Sequence, residues 1–405
     1  VTQGVPHRLA GRGRLLPSAR SGPGRHAAHR APPAAGGGST GQRDPFFDNA
    51  KLFAIALVVA GHSWEPLTDG SRAAKALYLL VYAFHMPAFI VISGYFSRSF
   101  DSRPDRVQRL ISGVAIPYLV FETAYSVFKR YADDDPAHPV SLVDPWYLTW
   151  FLAALFVWRL TAPIWRVVRW PLPLAVAVAL LATTSNLGDE LDLQRVFQFL
   201  PFFVLGLRLG PEHFARVRSR PARLAAGPVF AAALAFAYWI APRVDRAWMY
   251  HRESSDDLGV SRLAGAATTL LTLGCSTVLT VAFLALVPTG RRWFTTLGTG
   301  TLYAFLLHGF LAKGSRYWGW YDNGFAESPP GAVVITAIAV TIALVLCSAP
   351  VRRLFRPVVE PRLDWAFRRG PGRAGSRARP RSGVRGAPER PTRHLAISRS
   401  GSADP

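Results

Sequence analysis

Cysteine and methionine are almost missing from this chain, with two of each in 405 residues. Cys275 and Cys347 each sit inside an apolar run, so neither a disulfide framework nor a thiolate metal site is suggested, and no metal is expected. Lysine is nearly as scarce, four residues against 43 arginines, a skew that reflects high-GC coding more than function. Acidic residues number 25 against 47 basic ones, a formal charge of +22. That excess invites a nucleic-acid reading, but its placement argues against one. Residues 1–43 hold seven Arg and no acid, and residues 352–405 hold fourteen Arg against Glu360, Asp364, Glu389 and Asp404. These arginines lie among Gly, Pro, Ala and Ser, in segments too polar to bury a core. Residues 1–43 and 351–405 are therefore expected to be disordered basic arms that rest on anionic lipid heads, and no nucleic-acid partner is expected. No apolar stretch precedes residue 46, so no signal peptide is expected at the start.

What the chain does have is apolar length. About ten apolar segments lie near 46–66, 76–96, 110–130, 146–163, 171–184, 196–210, 225–241, 263–287, 293–312 and 330–349. Each is near the ~20 residues that cross ~30 Å of hydrocarbon. Breaks at Pro87, Gly94, Pro117 and Pro201 suit a membrane bundle, where neighbouring helices satisfy freed backbone groups. Alternate loops fall into two populations. Loops 97–109, 159–170, 208–223 and 288–292 hold fourteen basic and three acidic residues; the intervening loops hold eleven basic and fifteen acidic. Basic loops stay cytoplasmic. The expectation is an all-α polytopic protein of the plasma membrane, with about ten transmembrane helices over residues 44–350 and both termini cytoplasmic. A soluble protein would have to bury ten wholly apolar helices behind short loops.

Ionisable groups inside spans are costly and mark function by default. The candidates are Lys51, His62, His85, Glu122 and His308, and the derived orientation puts the three histidines and the carboxylate in the outer half. Lys51 and His62 are eleven residues apart, ~16 Å of rise and three turns plus ~20° along a helix, so they share a stripe. Asp48, three residues before Lys51, joins that face and can pair with it. An ammonium at the cytoplasmic mouth with an imidazole deeper in suits an elongated anionic donor such as acyl-CoA, whose phosphates stay at the mouth. Histidine is the side chain best poised to take a proton from a hydroxyl near neutral pH. Bland alternatives stand beside each assignment: Lys51 snorkelling, His62 capping a helix, His85 bonding a carbonyl freed by Pro87, Glu122 bonding a tyrosine, and His308 lying at an interface.

The stretches "DNAKLFAIALVVAGH" and "FHMPAFIVISGYF", followed in order by "RLISGVAIPYLVFE", "TWFLAALFVWRL", "FLPFFVLGLRLG" and "LGTGTLYAFLLHGF", resemble the acyltransferase 3 family over about residues 43–350. The likeness is greatest to the branch similar to fucose 4-O-acetylase. The family pattern is an Arg, ten residues and a His in the first span. His62 matches it, and Lys51 stands where the Arg would be, giving a point charge without the bidentate fork. The resemblance implies transfer of an acyl group, commonly acetyl from acetyl-CoA, to a sugar hydroxyl on a cell-surface glycan or a secondary metabolite. His62 is the expected general base, with His85, His308 and Glu122 as polarising, shuttling or orienting groups. Lys51 with Asp48, and Arg106 and Arg109, are expected near the donor phosphates. The competing readings are a proton-coupled transporter or glycan flippase, and a membrane scaffold acting through its tails.

Overall fold

The computed structural model describes residues 44–361 together with 365–366. The 1–43 arm and most of the 351–405 tail lie outside the described residues. Of that tail, residues 351–359 are helical. The described residues contain helices and no strand. In chain order the helices are α1 (Pro45–Trp64), α2 (Arg72–Tyr82), α3 (His85–Ser97), α4 (Pro104–Leu110), α5 (Ile116–Ala132), α6 (Trp150–Val167), α7 (Pro171–Thr183), α8 (Leu193–Gln198), α9 (Leu200–Arg208), α10 (Pro211–Val217), α11 (Arg220–Ile240), α12 (Ala247–Tyr250), α13 (Arg262–Leu286), α14 (Thr301–Tyr317), α15 (Gly324–Glu327), α16 (Pro329–Leu346) and α17 (Ala349–Val359).

Each of the ten apolar segments is helical over most of its length. Among the described residues five stretches are long and apolar enough to cross a membrane: Arg72–Ser97, Pro104–Ala132, Arg220–Ile240, Arg262–Leu286 and Pro329–Leu346. The other five segments are shorter, broken or more polar. Arg220–Ile240 and Pro329–Leu346 leave most of their apolar surface uncovered, as helices facing lipid do and as helices in water avoid.

Local chemistry explains the breaks that matter. In α1, Asp44 accepts from the Phe46 amide at 3.0 Å and Pro45 opens the first turn, both favoured at a helix start. Between α2 and α3, Pro87 has no N–H to continue the ladder, and the chain kinks at Ala83–Phe84, which leaves His85 as the first residue of α3. Where α3 crosses α9, Gly94 and Gly206 face each other. A methyl on Gly94 would fall inside the carbonyl of Phe203, and one on Gly206 inside the carbonyl of Val91. This is the close backbone approach that small residues permit between membrane helices.

The loops gather at two ends. At one end Arg98 donates to the Leu209 carbonyl at 2.7 Å and Arg166 to the Arg98 carbonyl at 2.8 Å. There too Arg218 pairs with Asp44 at 2.7 Å, and Asn49 donates to the carbonyls of Pro288 and Gly290. The four Arg-rich loops and the start of α1 therefore meet. The five acid-bearing loops meet at the opposite end, because each contributes a residue to one cavity: Glu65, Asp144, Asp192, Tyr250 and Lys313.

Candidate active site

That cavity has a volume of about 630 Å³. Its inner part is set by α1 and the α2–α3 kink. His62, in the last turn of α1, and His85, at the start of α3, both line it. His62 Nδ1 lies 3.1 Å from the Tyr82 hydroxyl and 3.9 Å from Glu65 Oε2. A proton on Nδ1 has an acceptor in either, and it leaves Nε2 bare as a base. Glu65 in turn pairs with Arg316 at 3.3 Å. The His308 ring, from α14, is fully buried with its centroid 5.5 Å from that of His62.

His85 and His308 are held in the same way. His85 Nδ1 donates to the Val81 carbonyl and His308 Nδ1 to the Ala304 carbonyl, each at 2.8 Å and four residues back. Backbone bonding, the bland alternative for His85, is thus what its Nδ1 does, although through Val81. With Nδ1 protonated, Nε2 of each neutral ring is an acceptor. His308 Nε2 is buried and has no partner among the described residues. Neutral rings pinned this way cannot donate to a developing oxyanion. His85 presents its Nε2 side to the cavity it lines, whereas His308 is not among the lining residues.

Glu122 lines the cavity but touches no imidazole. Its Oε2 accepts from the Trp146 amide at 2.9 Å and from the Thr149 hydroxyl, and Oε1 accepts from Ser126 at 3.3 Å. What Glu122 orients is the turn before α6. Tyr147 in that turn has φ +59°, a left-handed conformation costing a bulky residue about 1–2 kcal/mol. Its ring meets His62 edge-on at 5.0 Å, and the Lys313 ammonium lies 4.5 Å from its centroid. The carboxylate therefore holds a strained aromatic against the candidate base.

Toward the mouth, Arg195 pairs with Asp192 at 2.7 Å and Arg252 with Asp189 at 3.0 Å. Outside the spans, burial and the nearby Lys129 push the His138 imidazole down, and burial pushes His251 down to about 4. His251 Nδ1 faces Gln198 Oε1 at 3.0 Å.

The remaining expected site residues lie elsewhere. Lys51 and Asp48 form the expected ion pair, at 2.8 Å, but neither lines the His62 cavity. Val58, Met86 and Phe305 line it instead. Arg106 and Arg109 line a separate cavity of about 240 Å³ among the Arg-rich loops. Sequence reasoning passed over Glu65, Tyr82, Tyr147 and Lys313. Glu65 follows His62 by three residues and Tyr82 precedes His85 by three, a helical neighbour spacing that was legible. The left-handed Tyr147 carries no sequence signal.

The family model for this acyltransferase domain, acyltransferase 3, matches residues 44–348, from the N-cap of α1 to the N-cap of α17. Comparison with curated proteins and with solved structures finds no match. The matched region contains the histidine cluster, both cavities and five stretches able to cross a membrane. The chain belongs to the acyltransferase 3 family and is a membrane acyltransferase.

Proposed function

We propose that the protein is a multi-pass O-acyltransferase of the plasma membrane. It moves an acyl group, acetyl by preference, from acyl-CoA to a hydroxyl of a sugar on a cell-surface glycan or a glycosylated metabolite. The observation that carries this reading is His62, which lines a large cavity with Nδ1 engaged by Tyr82 and Nε2 free. Lys51 in the place of the family's Arg supports the further reading that the chain belongs with the branch that resembles fucose 4-O-acetylase.

In this reading about ten helices span the bilayer, the Arg-rich loops and both termini are cytoplasmic, and the cavity mouth faces outward. The acceptor enters through the mouth, where Trp146, Trp150 and Tyr250 offer flat apolar faces edged by charged groups. The donor docks at the cytoplasmic end near Lys51, Arg106 and Arg109, and its thioester arm passes the Val58–Met86–Phe305 floor. His62 Nε2 removes the hydroxyl proton as the oxygen attacks the thioester carbonyl. The tetrahedral intermediate collapses with loss of the CoA thiolate, and the imidazolium returns the proton to that sulfur. The products are an ester and free CoA.

The test supplies isotope-labelled acetyl-CoA to membranes that contain the protein and follows label into sugar. Alkali-labile label that depends on His62 supports the reading. Label that never leaves CoA, with the protein present and folded, ends it.

A further inference from the structure

Among the described residues, Lys313 is the one cation lining the His62 cavity that has no ion pair. Arg195 and Arg252 are tied to Asp192 and Asp189, whereas the half-buried Lys313 meets neither a carboxylate nor a hydrogen-bond acceptor there. Its ammonium rests over aromatic rings instead, 4.5 Å from the Tyr147 centroid and 5.8 Å from that of Trp146. A ring holds an ammonium without neutralising it, so the three N–H donors stay available to a ligand.

Two helices fix that position. Tyr125 of α5 and Phe310 of α14 stack at 4.1 Å, and the Tyr125 hydroxyl donates to the Leu306 carbonyl at 2.7 Å. Lys129 follows Tyr125 by four residues and Lys313 follows Phe310 by three, so both lysines project from the faces on which the helices meet. Trp146 lies under both, with Lys129 Nζ 5.9 Å from its centroid.

Lys313 and Trp146 also line a second cavity, of about 500 Å³, which thereby adjoins the first. Three cations line it against one carboxylate, Asp133, which pairs with none of them. Lys129 is already paired with Asp135 and Arg316 with Glu65, both at 3.3 Å, which leaves Lys313 as a single free positive charge. The first cavity is different. Asp144 and Glu253 line it without an ion pair among the described residues, and neither lines the second. Free carboxylates accept from sugar hydroxyls and repel anions, whereas a free ammonium attracts them.

We infer that the acceptor is an acidic glycan: one sugar presents its hydroxyl to His62, and the carboxylate of a neighbouring sugar sits on Lys313 in the second cavity. A single aromatic ring separates the two positions, since Tyr147 is 5.0 Å from the imidazole and 4.5 Å from the ammonium. One free ammonium matches the single charge of a carboxylate. The identification of this ligand as the acceptor rests on the acyltransferase reading; the anion site itself does not.

The full chain, purified in detergent, is titrated with trigalacturonate and with its methyl ester, which has the same sugar rings and no charge. The expected result is a preference of about tenfold for the acid, reduced by added salt, kept in Lys313→Arg and lost in Lys313→Gln through weaker binding of the acid alone. Equal affinity for acid and ester in the wild type overturns the inference, as does binding of neither by folded protein. A preference that survives Lys313→Gln overturns the role of Lys313, and an equal loss of acid and ester in that variant means that the side chain supplies shape and not charge. If Lys313→Gln does not fold, Lys313→Met, which keeps the apolar stem over Tyr147, is read in the same way. The titration contains no acyl-CoA, so a failed transferase reading leaves its result standing, and a failed anion site leaves acyl transfer standing.

Discussion

The two ends of the helix bundle use charge in opposite ways. At the cavity end nearly every charged or imidazole group has its direction set by a second one: Glu65 stands between His62 and Arg316, Asp192 holds Arg195, and backbone carbonyls pin His85 and His308. At the other end arginines clip loops together or pair at the surface, as Arg109 does with Asp105, and Arg159 has no partner among the described residues. Proton transfer demands groups fixed to fractions of an ångström, and that requires buried, mutually oriented side chains. Recognition of a phosphate demands field and adaptable donors, and these survive at an exposed end. One end is built for chemistry and the other for capture.

The sharpest way to break that division is His62→Ala. Removing a general base lowers rates by ~10²–10⁴-fold. Acyl transfer in membranes is expected to fall by that range while acetyl-CoA binding at the Arg-rich end stays at the wild-type level. Parallel loss of both would mean that the two ends act as one site.

Acid offers a second test, because arginines do not titrate and the cavity end does. Burial holds His251 at about 4, against about 6.5 in an unfolded chain. The unfolded state therefore binds the proton more tightly. The stability owed to the neutral ring is complete above pH 6.5 and declines as pH falls toward 4, by about 3 kcal/mol in all. Thermal melting across that window should show a shallower acid slope for His251→Gln than for the wild type. Equal slopes would remove His251 as the titrating group.

Glu122→Gln tests whether the turn that carries Tyr147 matters. An amide keeps the shape of the carboxylate, but it is a weaker acceptor for the Trp146 amide and the Thr149 hydroxyl. The strained Tyr147 then loses its hold against His62. A fall of about tenfold in kcat with little change in either KM is expected, since a tenfold rate corresponds to ~1.4 kcal/mol. Tyr147→Phe keeps the ring contact and should retain most activity. A KM effect for the acceptor alone would turn Glu122 into a binding group.

How much of this was legible in the sequence varies with the physics. Helical character followed from apolar length, and the charge parity of the loops anticipated which loops gather at each end. That His62, His85 and Glu122 line one cavity, with His308 beside His62, was partly readable because residue number converts to rise along a helix. Lateral packing was not readable. Lys51 and His62 share a stripe of α1, yet the cavity at His62 does not include Lys51, since what fills the space between two residues depends on side chains from other helices. Arg159 shows the same limit. In the sequence it opens the basic 159–170 loop, whereas in the structure α6 continues to Val167 and holds it mid-helix. The left-handed Tyr147 arises from tertiary contacts and leaves no pattern in the chain, whereas the tautomers of His85 and His308 are pinned locally, by carbonyls four residues back.

Lys51 gives the smallest expected effect and the finest test of the division. Its ammonium is 2.8 Å from Asp48, and the paired carboxylate cancels most of its field at the distance of the arginines. If Lys51 only guides the donor toward the arginines, Lys51→Ala raises KM for acetyl-CoA a few-fold at unchanged kcat, and added salt shrinks the difference. Lys51→Arg, which restores the family's fork, should match or improve on the wild type. A drop in kcat in Lys51→Ala would place the ammonium in the chemistry after all, and it would require a conformation in which the Val58–Met86–Phe305 floor opens toward α1.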